Sequence, residues 1–64
     1  MRIDRIKLVT ELKRRDMTQK RISELSGISR TTINYICAGK SCTDEVGQSI
    51  AKALGVDVTE IIED

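Results

Sequence analysis

The stretch QKRISELSGISRTTINYICAGK, residues 19–40, decides the fold. A helical pattern within it ends at Gly27, and only Ile28 separates this glycine from Ser29, whose hydroxyl is suited to cap the start of another helix. A joint this short, with a glycine in the turn, sets two helices steeply across each other. The sequence therefore predicts a helix-turn-helix over about residues 18–38.

The rest of the sequence predicts further short helices, because its apolar residues recur at intervals of three and four rather than two. We predict five helices with tight connections, an all-α domain that spans residues 1–64 as one unit. The residues suited to cap or begin these helices are Asp4, Thr18, Ser29, Thr43 and Asp57. The first helix is expected to end near Arg15, and the next three at Gly27, Gly39 and Gly55.

Two faces of the first helix compete for burial, one with Ile6, Val9 and Leu12 and the other with Leu8 and Leu12. In the next three helices the side chains predicted to turn inward are Ile22, Leu25, Ile33, Ile36, Val46, Ile50, Ala53 and Leu54. A glycine inside a helix costs about 1 kcal/mol relative to alanine. We therefore expect Gly47 to permit a close approach of another helix.

The charges are distributed unevenly along the chain. The whole sequence has 11 Lys and Arg against 10 Asp and Glu, and this net charge of +1 by itself argues against a nucleic-acid partner. Residues 1–40, however, hold ten of the cations and four acids, a formal charge of +6, whereas residues 41–64 hold one cation and six acids, a charge of −5. Such a split indicates a surface that faces a polyanion, or simply the charged helix surfaces of a short chain.

Composition excludes several classes of protein. With no histidine and only two cysteines, the chain has neither a zinc-finger ligand set nor a Ser-His-Asp or Cys-His nucleophile. The sequence also has no paired carboxylates at a spacing useful for catalysis and no phosphate loop, which speaks against an enzyme. No apolar run is long enough for a membrane span, and the start does not resemble a signal peptide. We expect a cytoplasmic protein with Cys37 and Cys42 reduced and with no metal, cofactor or small-molecule ligand.

The predicted third helix has an outer face without acids. Once Ile33 and Ile36 turn inward, the outward residues are Arg30, Thr31, Asn34 and Tyr35. Arginine donates a fork of hydrogen bonds to guanine, asparagine pairs with adenine, and threonine contacts the thymine methyl. The face is therefore suited to reading base edges, although Tyr35, an isolated aromatic residue, is also suited to half-buried packing.

The segment MTQKRISELSGISRTTIN, residues 17–34, resembles the helix-turn-helix of the lambda-repressor-like Cro/CI (Xre) family, and so does IAKALGVDV, residues 50–58. The resemblance covers about residues 6–62 and includes the five-helix layout. It implies a sequence-specific regulator of transcription that binds double-stranded DNA at an operator. A repressor of phage, plasmid or prophage type, bacterial or phage-encoded and associated with the nucleoid, that acts as a homodimer at least on DNA is expected.

The resemblance also implies roles for individual residues. The base-reading residues would be Arg30, Thr31, Asn34 and Tyr35. The phosphate-binding residues would be Gln19, Ser29, Thr32 and Lys40, and Gln19 lies at a helix start, where an anion is favoured. The fifth helix of the family often builds a dimer interface, which makes Ile61 and Ile62 dimer candidates; alternatively, these two residues complete the core.

The chain departs from the family pattern at two places. Members often have Glu-Asn-Gly where this chain has Cys37, Ala38 and Gly39, so that a polar backbone contact and an acid that pairs with a helix-one arginine are lost. Ser23 replaces a common alanine, which its small size should allow. The alternative function is a protein-interaction module, of antitoxin or scaffold type, that keeps the fold without a DNA role and exposes apolar residues on the third helix.

Overall fold

The computed structural model of the chain describes residues 1–63, which form four α-helices. They are α1 (Arg5–Arg14), α2 (Gln19–Ser26), α3 (Arg30–Cys37) and α4 (Asp44–Leu54), and a 3₁₀ turn follows at Val58–Glu60. No β-strand occurs among residues 1–63, so the predicted all-α class is confirmed. None of the helices in this part of the chain has the length and apolar character needed to cross a membrane.

The predicted short fifth helix is not confirmed as an α-helix, because the segment after α4 makes a single 3₁₀ turn. Asp57 caps this turn with a complete capping box, as its spacing predicted. The following backbone groups pair with the start of the chain instead of continuing the helix. The Ile61 carbonyl accepts from the Asp4 N–H at 2.8 Å, and the Glu63 N–H donates to the Arg2 carbonyl at 3.0 Å. These bonds use the backbone groups that another helical turn would need.

The caps predicted at Thr18, Ser29 and Asp57 are confirmed, and Asp4 and Thr43, predicted as helix starts, are caps as well. In every case a side-chain oxygen accepts from a backbone N–H of the first turn at 2.9–3.2 Å; the caps are Asp4, Thr18, Ser29, Thr43 and Asp57. A helix start leaves four N–H groups without an intrahelical partner. Satisfying one or two of them helps helices as short as α2 and α3 to persist.

The core is aliphatic and draws on every helix and on both ends of the described chain. Its buried residues are Ile3, Leu8, Leu12, Ile22, Ile33, Ile36, Ile50, Ala51, Leu54 and Ile61. Because α3 contributes two fully buried isoleucines, Ile33 and Ile36, its opposite face is fixed toward solvent. The core thus sets the orientation of the helix whose outer face the sequence singled out.

The structure corrects the predicted core at one residue and decides between the two faces that the sequence left open for α1. Leu25 is 44% exposed, and the partly buried Ser23 and Ser26 flank Ile22 on the inner side of α2 instead. The α1 helix buries Leu8 with Leu12, which leaves the alternative face of that helix at the surface. The small side chains of Ser23 and Ser26 allow the neighbouring helices to pack closely against α2. A leucine side chain on that side of α2 would need more space between the helices.

The close approach at Gly47 comes from the N-terminal residue rather than from a helix. A Cβ atom added at this glycine would overlap Met1 Sδ and would lie 3.1 Å from Met1 Cγ and 3.2 Å from its Cε. The Met1 amino group also donates to the Cys42 carbonyl at 2.7 Å, and the Cys42 N–H donates back to the Met1 carbonyl at 3.0 Å. The start of the chain therefore holds the connection between α3 and α4 in place.

A charged cluster closes the end of α1. The carboxylate of Glu11, only 8% exposed, accepts hydrogen bonds from Arg14 and Arg15, and Arg15 Nε donates to the Leu54 carbonyl at 2.9 Å. The Arg15 hydrogen bond holds the pKa of the Glu11 carboxyl below its ordinary value, with help from both positive charges and against the effect of burial. Arg14 and Arg15, at the end of α1, thus pair with an acid on α1 itself, Glu11.

Candidate nucleic-acid interface

The joint between α2 and α3 is short and internally bonded. Gly27 has a φ of 75°, a left-handed conformation that glycine adopts without a steric penalty, and its N–H donates to the Ser23 carbonyl at 3.0 Å. The Ser23 hydroxyl donates to the Ile28 carbonyl, and the Ile28 N–H donates to Ser26 Oγ at 3.2 Å. The serine that replaces the family's alanine therefore bonds the turn as well as fitting it.

The four residues predicted to read bases lie together on the outer face of α3. Arg30, Thr31, Asn34 and Tyr35 are all exposed, and Tyr35 keeps 58% of its surface in solvent. Among residues 1–63, no hydrogen bond or ion pair engages these four side chains. The face is therefore available to a ligand without any internal bond having to break.

The two hydroxyl residues predicted to bind phosphate are bonded to each other. Ser29 Oγ accepts from the Thr32 N–H at 3.2 Å and donates its hydrogen to Thr32 Oγ1 at 3.0 Å. The Thr32 hydroxyl hydrogen stays free to donate outward. The geometry therefore separates the roles of these residues: Ser29 holds the helix start, and Thr32 carries the donor.

The other two predicted phosphate contacts lie at either side of α3 in sequence. Gln19 is the first residue of α2 and is half-buried next to the Thr18 cap. Lys40 is exposed, and its N–H donates to the Tyr35 carbonyl at 3.0 Å, which fixes the backbone after α3. Lys40 and Tyr35 both line an open groove of about 550 Å³ between the end of α3 and the start of α4.

The helix-turn-helix and the residues directly after it carry exposed cations without an ion pair. Lys20 and Arg21 on α2, Arg30 on α3 and Lys40 are exposed and have no acidic partner among residues 1–63. By contrast, the α1 end and the N-terminal segment use Arg2, Arg14 and Arg15 in salt bridges. Lys20 and Arg21 were not among the predicted site residues, although their position directly after Gln19 at a helix start was a signal for them.

The predicted dimer residues differ in exposure. Ile61 is fully buried in the core of its own chain and has no surface to offer a second copy. Ile62 is half-buried and pairs with Ile3 in an isolated antiparallel bridge. Of the two alternatives that the sequence left open, Ile61 therefore completes the core, and only Ile62 remains a dimer candidate.

The chain matches a known family over most of its length. The model of the family described as helix-turn-helix matches residues 10–61, and the chain belongs to this family of lambda-repressor-like, Xre-type helix-turn-helix proteins. No curated protein matches the chain.

Two solved structures share the fold. PhpD with cadmium atoms and PhpD with cadmium complexed with hydroethylphosphonate each align with the whole chain at a TM-score of 0.85 and 23% identity. The aligned part is 14% of the PhpD chain in both, so this chain spans about a seventh of the length of those proteins. At this level of identity the similarity concerns the fold alone.

Proposed function

We propose that the protein is a sequence-specific regulator of transcription that binds double-stranded DNA by inserting α3 into the major groove. The single observation that carries the proposal is the outer face of α3, on which Arg30, Thr31 and Asn34 are exposed and free of internal bonds. A recognition helix uses its N-terminal residues for base contacts, and Arg30 and Thr31 lie at that end. Membership of the helix-turn-helix family supports this function.

The proposed division of labour follows from chemistry and position. Arg30 donates two hydrogen bonds to one guanine, and Asn34 pairs with adenine. Thr31 and Tyr35 contact thymine methyl groups or phosphates. Phosphates are held by the side chains of Gln19, Thr32 and Lys40, with Ser29 holding the start of α3. Lys20 and Arg21 add charge beside Gln19, because each phosphate that a cation neutralises releases counterions.

Repression follows if two protomers occupy one operator. Helix-turn-helix dimers read half-sites that lie about 34 Å apart, one turn of DNA, and a bound dimer would block RNA polymerase. Ile62 is the candidate for the protomer contact. A small repressor of phage, plasmid or prophage type is the form of regulator that this arrangement fits best.

Selection of bound sequences from a random duplex pool tests the proposal most directly. We expect an enriched, palindromic motif, and a binding constant that falls steeply with salt. For alanine substitutions of the interface cations Lys20, Arg21 and Lys40, the matched control is Lys52→Ala. Lys52 is an exposed cation in the acidic part of the chain, and its loss should leave DNA binding nearly unchanged. Absence of binding at low salt, or binding that salt leaves unchanged, would contradict the proposal.

The alternative, an interaction module without a DNA role, required apolar exposure on α3. The exposed side chains of that helix are polar apart from Tyr35, which disfavours this alternative on α3. NMR shift mapping with duplex DNA separates the two functions. Perturbation confined to residues 41–64 would favour the module, and perturbation of α2 and α3 would favour the regulator.

A further inference from the structure

The outer face of α1 exposes large apolar side chains that the proposed DNA interface does not use. Ile6 is 71% exposed and Val9 is 36% exposed, and they lie one helical turn apart. They line an open groove of about 410 Å³ between α1 and α3, together with Arg5, Thr10, Lys13 and Cys37. We refer to these six residues as the α1 patch.

The two cations of the α1 patch have no partner in the described part of the chain. Arg5 and Lys13 are exposed, and neither makes an ion pair among residues 1–63. The acids nearest to them along the chain are already engaged. Asp4 caps α1, and Glu11 accepts from Arg14 and Arg15 on the buried side of the helix. The α1 patch is therefore apolar at its centre and positively charged at its ends.

Ile6 is the most prominent element of this surface. It also lines a second open groove, of about 390 Å³, which contains Ala38 and Gly39 after α3. The Ile6 side chain thus borders two grooves, of which the second is also lined by Asp4 and Glu63, and this arrangement favours a complementary surface that contacts it from both sides. Apolar side chains of this kind, when a partner buries them fully, dominate the free energy of an interface.

The charges decide which occupant fits. If a second copy of the chain packed on the same face by two-fold symmetry, Arg5 and Lys13 of one copy would lie close to Arg5 and Lys13 of the other. Such a contact between like charges is unfavourable. A DNA backbone would satisfy the cations but would leave Ile6 and Val9 without apolar contact. A protein segment with acidic side chains around one or two large apolar residues satisfies both features.

We propose that the α1 patch is a docking surface for an acidic amphipathic segment of a partner protein. The apolar side chains of that segment bury Ile6 and Val9 in the groove against Cys37, and its carboxylates pair with Arg5 and Lys13. The inference does not depend on the DNA role of α3. Since Cys37 belongs to α3, a partner held here would lie directly beside the proposed reading helix.

The probe for this proposal is a short helical peptide in which leucines and glutamates recur at helical spacing, titrated into isotope-labelled protein. We expect amide shifts to change at the α1 patch. Ile6→Ser should weaken peptide binding about tenfold, the loss typical of a buried apolar contact. Leu25→Ser is the matched control, because Leu25 is an exposed leucine on α2, remote in sequence from the patch, and it should leave the affinity unchanged.

The charge requirement is tested separately. Lys13→Gln should weaken binding of the glutamate peptide but not of a peptide with glutamine in place of glutamate, and Lys52→Gln should affect neither. Thermal melting of each variant verifies that it folds. The proposal would be overturned if the peptide changed amide shifts elsewhere but not at the α1 patch. Equal affinity for a peptide of scrambled sequence would overturn it as well. It would also be overturned if Ile6→Ser weakened the binding of duplex DNA and left that of the peptide unchanged.

Discussion

Ser29 and Thr32 show how a single hydroxyl hydrogen assigns a role to a residue. Both were predicted as phosphate contacts, yet Ser29 donates its hydrogen to Thr32 Oγ1 while its oxygen caps α3. Thr32 keeps a free donor on the surface. Two hydroxyl residues three positions apart thus have different hydrogen-bond partners at the start of one helix.

Substituting these two residues should separate stability from DNA affinity. Ser29→Ala removes the cap and should lower the free energy of unfolding by about 1 kcal/mol. Thr32→Val removes the outward donor and should mainly weaken DNA binding. Chemical denaturation and a binding titration on both variants check this; equal losses of stability in the two would contradict the assignment.

Substitutions of Arg30 and of Lys40 should differ in their effect on sequence specificity rather than in how much they weaken DNA binding. Arg30→Ala should cost about 1–3 kcal/mol of binding free energy and relax the base preference at one position, because a base contact is lost. Lys40→Ala should weaken binding to all sequences alike and lower the salt slope by about one. Competition between the selected and mutated duplexes measures both, and a similar loss of specificity in the two variants would refute the division.

At the scale of elements, the helix starts and stops are encoded locally. A cap requires only a side chain and the N–H groups of the next turn, and so all five caps were predictable from sequence. The α2–α3 joint depends in the same way on Gly27, whose added Cβ would meet nothing within 4 Å. The glycine is therefore needed for its backbone conformation and not for space.

Two glycine substitutions test this distinction. Gly27→Ala should destabilise the fold by about 1–2 kcal/mol, because alanine is strained at a φ of 75°. Gly47 has an ordinary helical backbone, so alanine at this position is not strained and raises the helix propensity. This gain should offset the cost of displacing the flexible Met1 side chain. The net effect of Gly47→Ala on the midpoint of urea denaturation should be small, and a loss as large as that of the first variant would argue against the explanation.

Features that depend on distant parts of the chain were less predictable. Periodicity admitted two faces of α1, and only packing against the other helices selects Leu8 with Leu12 over the face with Ile6. Leu25 had the right spacing for burial, but the serines around it form the inner side of α2. The same limit applies to the site: sequence placed the α3 residues on one face, whereas the hydrogen bond between Ser29 and Thr32 and the exposure of the α1 patch required the fold.

At the scale of the whole molecule, stability depends on a small aliphatic core together with a few charged and backbone contacts that join distant segments. The Glu11 cluster links the end of α1 to the end of α4 through Arg15 and the Leu54 carbonyl. Among residues 1–63, Glu11 is the one acid that is nearly buried, and it is held by two arginines. Acid should therefore act on the fold through Glu11, and also through Asp57, whose pKa is lowered by the hydrogen bonds that it accepts from Thr59.

The pH dependence of stability follows from the direction of the Glu11 pKa shift. A carboxyl whose pKa is lower in the folded chain stabilises the fold above the ordinary value near 4.5, and the stabilisation is lost as pH falls through the lower folded value. Glu11→Gln should lower Tm at neutral pH and flatten the fall of Tm in acid. Glu24→Gln, at an exposed position on α2 without an ion pair among residues 1–63, is the control and should leave Tm at neutral pH unchanged.

The hydrogen bonds that join Arg2 and Asp4 to Ile61 and Glu63 have a kinetic consequence. They connect the two ends of the described chain, so their formation requires closing almost the largest loop that the sequence allows. Helices and the α2–α3 joint, which need only local contacts, should form earlier on the folding pathway. The ends should then fray as one unit, so that the amide hydrogens of Asp4 and Glu63 exchange with solvent at a common rate that is faster than that of the α3 core.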